Sequence, residues 1–167
     1  MKITKEWLES EDACSDGREW FFNQEKIDVI EVSNELIKQN KLDWCNWLIT
    51  KAMKRKQCIQ YAIYAAEQVI DIFEKEYPDD KRPRKAIDAA KLYLEKPTKE
   101  NEAASAAYAS SYACASSYAA SAAYTASSSA AYATYASSSA TYATYAAYAA
   151  YIEIKILKYG ISLLEGK

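Results

Sequence analysis

The densest set of chemically capable side chains in this sequence is a charged run, Asp79, Asp80, Lys81, Arg82, Arg84 and Lys85, interrupted by Pro83. Mixed signs at that density can simply neutralise one another in a solvated helix connection. The same run can also serve recognition, because Arg82 and Arg84 offer bidentate donors to a carboxylate or a phosphate, with Asp79 and Asp80 as acceptors beside them. Trp44 and Trp47 are the second candidates. Together with Trp7 and Trp20 they put all four tryptophans in the first 47 residues. Large rings of this kind either fill a core or anchor a protein partner. On this reading the partner-binding residues are Trp44, Trp47, Asp79, Asp80, Arg82 and Arg84.

Reaction chemistry has less to work with. The chain contains no histidine, which removes the commonest general base, the Ser/His and Cys/His nucleophile pairs and most zinc sites. Serine and threonine hydroxyls are abundant after residue 102, but no base stands near them in the sequence, and no paired-carboxylate spacing stands out. A non-enzyme is expected, with no catalytic residue, no metal and no cofactor. Lys51, Lys54, Arg55 and Lys56 form a short basic run of the sort that usually marks one solvated face. A net charge of −2 gives no reason to expect a nucleic-acid partner.

Cys14, Cys45, Cys58 and Cys114 are scattered without a C-x-x-C pair, and MKITKEWLESED has no apolar signal core. Four reduced thiols in a cytoplasmic protein are therefore expected. No apolar run approaches the length of a membrane span.

The elements that must position these residues read as helices throughout. Thr4 can cap a short opening helix bearing Trp7 and Leu8. A turn is expected at Cys14–Gly17, with Asp16 and Glu19 at capping-box spacing for a helix that buries Trp20 and Phe21. Asp28 and Glu31 repeat the spacing ahead of Val29, Val32 and Leu36 on one helical face. Lys38–Lys41 is a polar connection, after which Asp43 can cap a helix starting at Trp44. Between Arg55 and Tyr77, the residues Ile59, Ile63, Ala66, Ile70, Phe73 and Tyr77 follow a heptad-like seam. Pro78 ends that element. Pro83 suits a first helical position with Asp80 at the positive end, ahead of Ala86, Ile87, Ala90 and Leu94.

From Ala103 to Ile152 the chain carries no charge, glycine or proline and is almost wholly Ala, Ser, Thr and Tyr. Alanine favours helix, and ten tyrosines between Tyr108 and Tyr151 are too many to leave solvated. The tract reads as closely packed helix, capped on entry by Thr98, with its tyrosines substantially buried and a break near Ser127–Ser129 or Ser137–Ser139. A closing helix places Ile154, Leu157, Ile161 and Leu164 on one face. With no sustained alternation of period two, the expected fold is all-α. A single all-helical domain spans 1–167, with N-terminal helices in 1–43, amphipathic helices in 44–97 and the Ala/Ser/Tyr-rich and closing helices in 98–167.

The run from Phe73 to Ala90 has the form F-E-x-x-Y-P-x-D-x-R-P-R-x-A-I-x-A-A. It is followed by an Ala-rich tract and by a closing K-I-L-x-Y-G at Lys155–Gly160. In these features, over roughly residues 44–164, the chain resembles the immunity-protein family, the all-helical immunity-like domain found beside bacterial polymorphic toxins and in phage genomes. Its opening Met1–Gln24 is similar to the start of phage-encoded members. The resemblance implies a protein that binds and neutralises a toxin or a host defence factor. It departs from the usual member in a tract almost free of charged residues. Two other roles fit the composition: a tyrosine-lined small-molecule binder of nucleotide-like ligands, and a self-assembling helical protein whose Ala/Ser/Tyr helices pack against other copies.

Overall fold

The computed structural model describes the backbone of residues 1–68, 70–101 and 139–166. Among these residues the regular elements are α1 (Lys5–Ser10), α2 (Ser15–Phe22), α3 (Val29–Lys38), α4 (Leu42–Ala52), α5 (Arg55–Glu67), α6 (Ile70–Glu76), α7 (Arg82–Glu95) and α8 (Ser139–Leu164). The fold is all-α. Its one extended contact among the described residues is an isolated antiparallel bridge between Lys2 and Asp28, which lays the N-terminus beside the entry to α3.

Two of the caps expected in the first 52 residues form as the sequence indicates. Thr4 accepts the Trp7 N–H at 3.2 Å, and Asp28 accepts the Ile30 N–H at 2.9 Å. Two others do not. Helix α2 starts at Ser15, two residues earlier than an Asp16 cap would set it, because the Cys14 sulfur accepts the Gly17 N–H at 3.4 Å. A Cβ on Gly17 would lie 3.2 Å from that sulfur, so the missing side chain lets the thiol approach. Helix α4 starts at Leu42 and not at Trp44, with no side-chain cap. Burial of Leu42 draws the chain into the helix early, and Asp43 becomes a first-turn carboxylate near the positive helix end.

The stops of α1 and α3 share one device. Asp12 and Asn40 both hold left-handed backbone, with φ of 57° and 55°. Around them, Ala13 N–H donates to Leu8 O and Asp12 N–H to Glu9 O; Lys41 N–H donates to Leu36 O and Asn40 N–H to Ile37 O. This is the paired closing bond of a Schellman stop, made with Asp and Asn where glycine is usual. The turn expected at Cys14–Gly17 therefore lies a few residues earlier, at Glu11–Asp12.

The described residues gather into two compact units, Met1–Tyr61 with Glu153–Lys167, and Ala62–Ile152. In the first, Val29, Val32 and Leu36 of α3 pack with Cys45, Leu48 and Ile49 of α4 and with Leu157 and Ile161 of α8. The buried Ser33 hydroxyl is satisfied by Val29 O at 2.7 Å. Gln57 donates to Leu163 O at 2.5 Å, tying α5 to α8. Gly160 allows the close approach here: a Cβ at that position would sit 2.6 Å from Ile49 Cδ1 and 2.8 Å from Tyr61 Cε2.

In the second unit, Ile63, Ala66, Ile70, Phe73, Pro83, Ala86 and Ile87 are buried. The seam expected from Ile59 to Tyr77 is divided between α5 and α6. Ile63 and Ile70 are buried as expected, whereas Ile59 is half-buried and Tyr77 is 41% exposed. Tyr77 follows the end of α6 and lays its ring against Phe73 at 5.0 Å instead of entering the core. Ala90 and Leu94 are half-buried rather than buried.

Thr98 caps a helical turn from Lys99, accepting the Asn101 N–H at 3.2 Å. The tract beyond it lies outside the described residues as far as residue 138. So do the expected break at Ser127–Ser129, most of Ser137–Ser139, and the burial expected of Tyr108 through Tyr148. Tyr151 is described, and at 61% exposed it departs from the burial expected of the tract's tyrosines. It stands about 100° around α8 from the seam of Ile154, Leu157, Ile161 and Leu164, so that seam's burial does not reach it.

Candidate functional site

The charged run is assembled by a tight reversal between α6 and α7. Pro78 prevents α6 from continuing, and Asp80 then acts in two ways. It accepts the Arg82 N–H at 3.0 Å from the residue before the N-cap position of α7, and takes the Arg82 guanidinium through both carboxylate oxygens. These Arg82 bonds hold the Asp80 carboxyl down to about 2. Arg84 points the other way along the helix. Its Nε donates to Glu74 Oε1 at 2.9 Å and its Nη2 to Glu74 Oε2 at 2.7 Å, with Asp71 Oδ1 at 3.4 Å. The pairing lowers the Glu74 carboxyl and raises the arginine.

Both expected bidentate donors are thus engaged within their own unit. The residues left facing solvent at the turn are Asp79, Lys81 and Lys85, together with an Arg82 side chain that is still 64% exposed. The parts of the motif each make a local contact. Phe73 stacks on Tyr77, Glu74 holds Arg84, Asp80 holds Arg82, and Pro83 is buried.

Trp44 and Trp47 belong to the first unit and the turn residues to the second. The four tryptophans form two edge-to-face pairs, Trp7 with Trp47 at 6.1 Å and Trp20 with Trp44 at 6.3 Å. The Trp20 indole N–H donates to Gln39 Oε1 at 2.9 Å. Lys41 holds its ammonium 4.3 Å from the centre of the Trp44 ring. Between these helices is a half-open cavity of about 280 Å³, with Trp20, Phe21, Leu36, Trp44 and Trp47 in its wall and Asp12 and Cys14 at its polar edge. The sequence points to the two tryptophans but gives no weight to Asp12, whose place follows from the stop of α1. An Asp two residues past a helix end and before a small apolar residue is the signal that could have found it.

A part-buried polar cluster lies elsewhere in the first unit. The Tyr61 hydroxyl donates to Asn46 Oδ1 at 2.8 Å. Burial raises the pKa of Tyr61, with Cys45 and Glu153 adding to it, and burial followed by the Asp43 charge raises that of Glu153. Cys45 is a buried free thiol pushed up to about 12 by desolvation, which makes it a poor nucleophile. Cys14 and Cys58 are also free thiols, and Cys114 lies outside the described residues. Among the described residues, no group of His, Cys, Asp or Glu is arranged to hold a metal ion, and no helix is long and apolar enough to cross a membrane.

Comparison with known families gives two matches. Residues 48–159 match the model of the Imm-5 like putative immunity protein family, and residues 1–56 match that of the YdhT N-terminal domain. The first match takes in α5 to α7, the Pro78–Arg84 reversal and most of α8. No curated protein and no solved structure matches the chain.

Proposed function

The chain belongs to the Imm-5 like immunity family, and from that premise we propose that it is a non-catalytic binding protein that neutralises a toxin or a host defence factor by direct protein–protein contact. The family match over residues 48–159 carries this reading. It acts in the cytoplasm, and the likeness of Met1–Gln24 to phage-encoded relatives favours a phage setting with a host defence factor as target. The contact surfaces are the tryptophan-bearing face of α4, through Trp44 and Trp47, and the α6–α7 reversal, through Asp79, Asp80, Arg82 and Arg84. At the reversal, internal pairing fixes Arg82 and Arg84 in place, so that a partner meets a rigid pattern of alternating charge.

The test is co-expression with the toxin or effector gene that neighbours this one, followed by purification of both proteins. The expected result is restored growth and a stable complex at equimolar ratio, weakened when Asp79 and Lys81 are reversed in sign. Continued toxicity with the binding protein in excess, and no complex by size-exclusion chromatography, would refute the proposal.

A further inference from the structure

The cavity of the first unit is walled entirely by residues between Ile3 and Leu48; it shares Trp44 and Trp47 with the proposed contact surface, but its filling by a small molecule is read out separately from partner binding. Its volume of about 280 Å³ is nearly twice the roughly 150 Å³ that suffices for benzene in an apolar protein cavity. It can therefore take a bicyclic ring. The wall is aromatic and aliphatic, and its one charged residue is Asp12. No basic residue lines it, and among the described residues no cation pairs with the Asp12 carboxylate.

Three observations select the charge of the occupant. First, the negative faces of aromatic rings attract cations, and the protein already uses this: Lys41, which is not part of the lining, rests its ammonium on Trp44. Second, the segment that forms this edge is acidic. From Lys5 to Glu19 the carboxylates of Glu6, Glu9, Glu11, Asp12, Asp16 and Glu19 outnumber the two cations Lys5 and Arg18. Third, the left-handed stop of α1 needs only a residue that tolerates positive φ, which glycine or asparagine does with less strain. Asn40 fills the equivalent stop of α3. Asp12 satisfies the backbone and adds a carboxylate at the cavity edge.

We propose that this cavity binds a small organic cation, an ammonium carried on a flat apolar body, with the body between Trp20, Trp44 and Trp47 and the ammonium at Asp12. The test is an NMR titration of the full chain with three probes of the same ring and different charge: tryptamine, indole and indole-3-acetate. The four indole N–H resonances report location. Those of Trp20, Trp44 and Trp47 should shift saturably with tryptamine, and that of Trp7, which is outside the lining, should shift least.

Tryptamine should bind about tenfold more tightly than indole, and indole-3-acetate more weakly than either. Asp12→Asn, which keeps a residue suited to left-handed backbone, should bring tryptamine to within about twofold of indole. Raising the salt concentration should weaken tryptamine and leave indole unchanged. Equal affinity for the three probes, preference for the carboxylate, indifference to Asp12→Asn, or no saturable shift with tryptamine would each overturn the proposal.

Discussion

Arg84 holds Glu74 with two parallel hydrogen bonds, 2.9 and 2.7 Å long, across the reversal that Pro78 creates. The most recognisable motif of the chain is therefore, in the first place, a device that fixes the angle between α6 and α7. An arginine that looks available for recognition when read along the sequence is here held within the fold.

Arg84→Glu should set a carboxylate against Glu74 and Asp71 and lower the thermal midpoint of unfolding measurably. The double exchange Glu74→Arg with Arg84→Glu should recover most of the loss, because the pair is restored in reverse. If Arg84→Glu melts with the parent protein and the exchange changes nothing, the pair does not hold the reversal.

Asp80 gives the acid behaviour of the same turn. Its folded pKa of about 2 lies below the unfolded carboxylate value near 3.9. The stability it contributes is thus present above the unfolded value and lost as pH falls through about 2. Asp80→Asn should be less stable than the parent at pH 6, and the difference should close as both are titrated to pH 2. Thermal melts across that range check it, and a constant difference would show that Asp80 acts without its charge.

Much of this is legible in the sequence. Val29, Val32 and Leu36 carry a helical period, and Thr4, Asp28 and Thr98 are capping residues in capping positions. The pairing of Arg84 with Glu74 is not legible, because it depends on the angle through which Pro78 turns the chain, and no spacing rule encodes a pair across a reversal. Cys14 does not read as a cap because thiols accept weakly, and the empty Cα of Gly17 eases the contact. The cavity cannot be read at all. It is a gap among rings from α2 and α4 and aliphatic side chains of α3, and spacing along one helix does not report how neighbouring helices leave space.

Glu153 should respond to pH in the opposite sense. Burial and the Asp43 charge raise its pKa, so its ionisation opposes folding and stability is lost as pH rises through the folded value. Glu153→Gln should raise the thermal midpoint at pH 8 and change it little at pH 4. A variant equally stabilised at both would point to packing rather than charge.

Gly160 ends the K-I-L-x-Y-G stretch, and the reason is steric. Gly160→Ala would drive a methyl group into Ile49 Cδ1 and the Tyr61 ring, and should cost about 1–3 kcal/mol by overpacking. Chemical denaturation measures it. Pairing it with Ile49→Val should return part of the loss, since the clash is then relieved on one side.

Ile70→Ala removes a side chain that is 4% exposed and should cost about 2–4 kcal/mol. A loss near zero would place Ile70 outside the packing of α6 in the second unit.

The two family matches overlap over residues 48–56, and that overlap includes Leu48, Ile49 and Met53, all buried in one core with Leu157 and Ile161. Families joined by a tether can be exchanged like beads on a string, with each crossover falling in solvent. Here the two matched segments share hydrophobic core side chains. A crossover in this region succeeds only if the incoming segment fits the resident partners of Ile49, among them an unencumbered Gly160. Reshuffling of the N-terminal segment is therefore limited by fit in the interior, whatever the demands of any target on the surface.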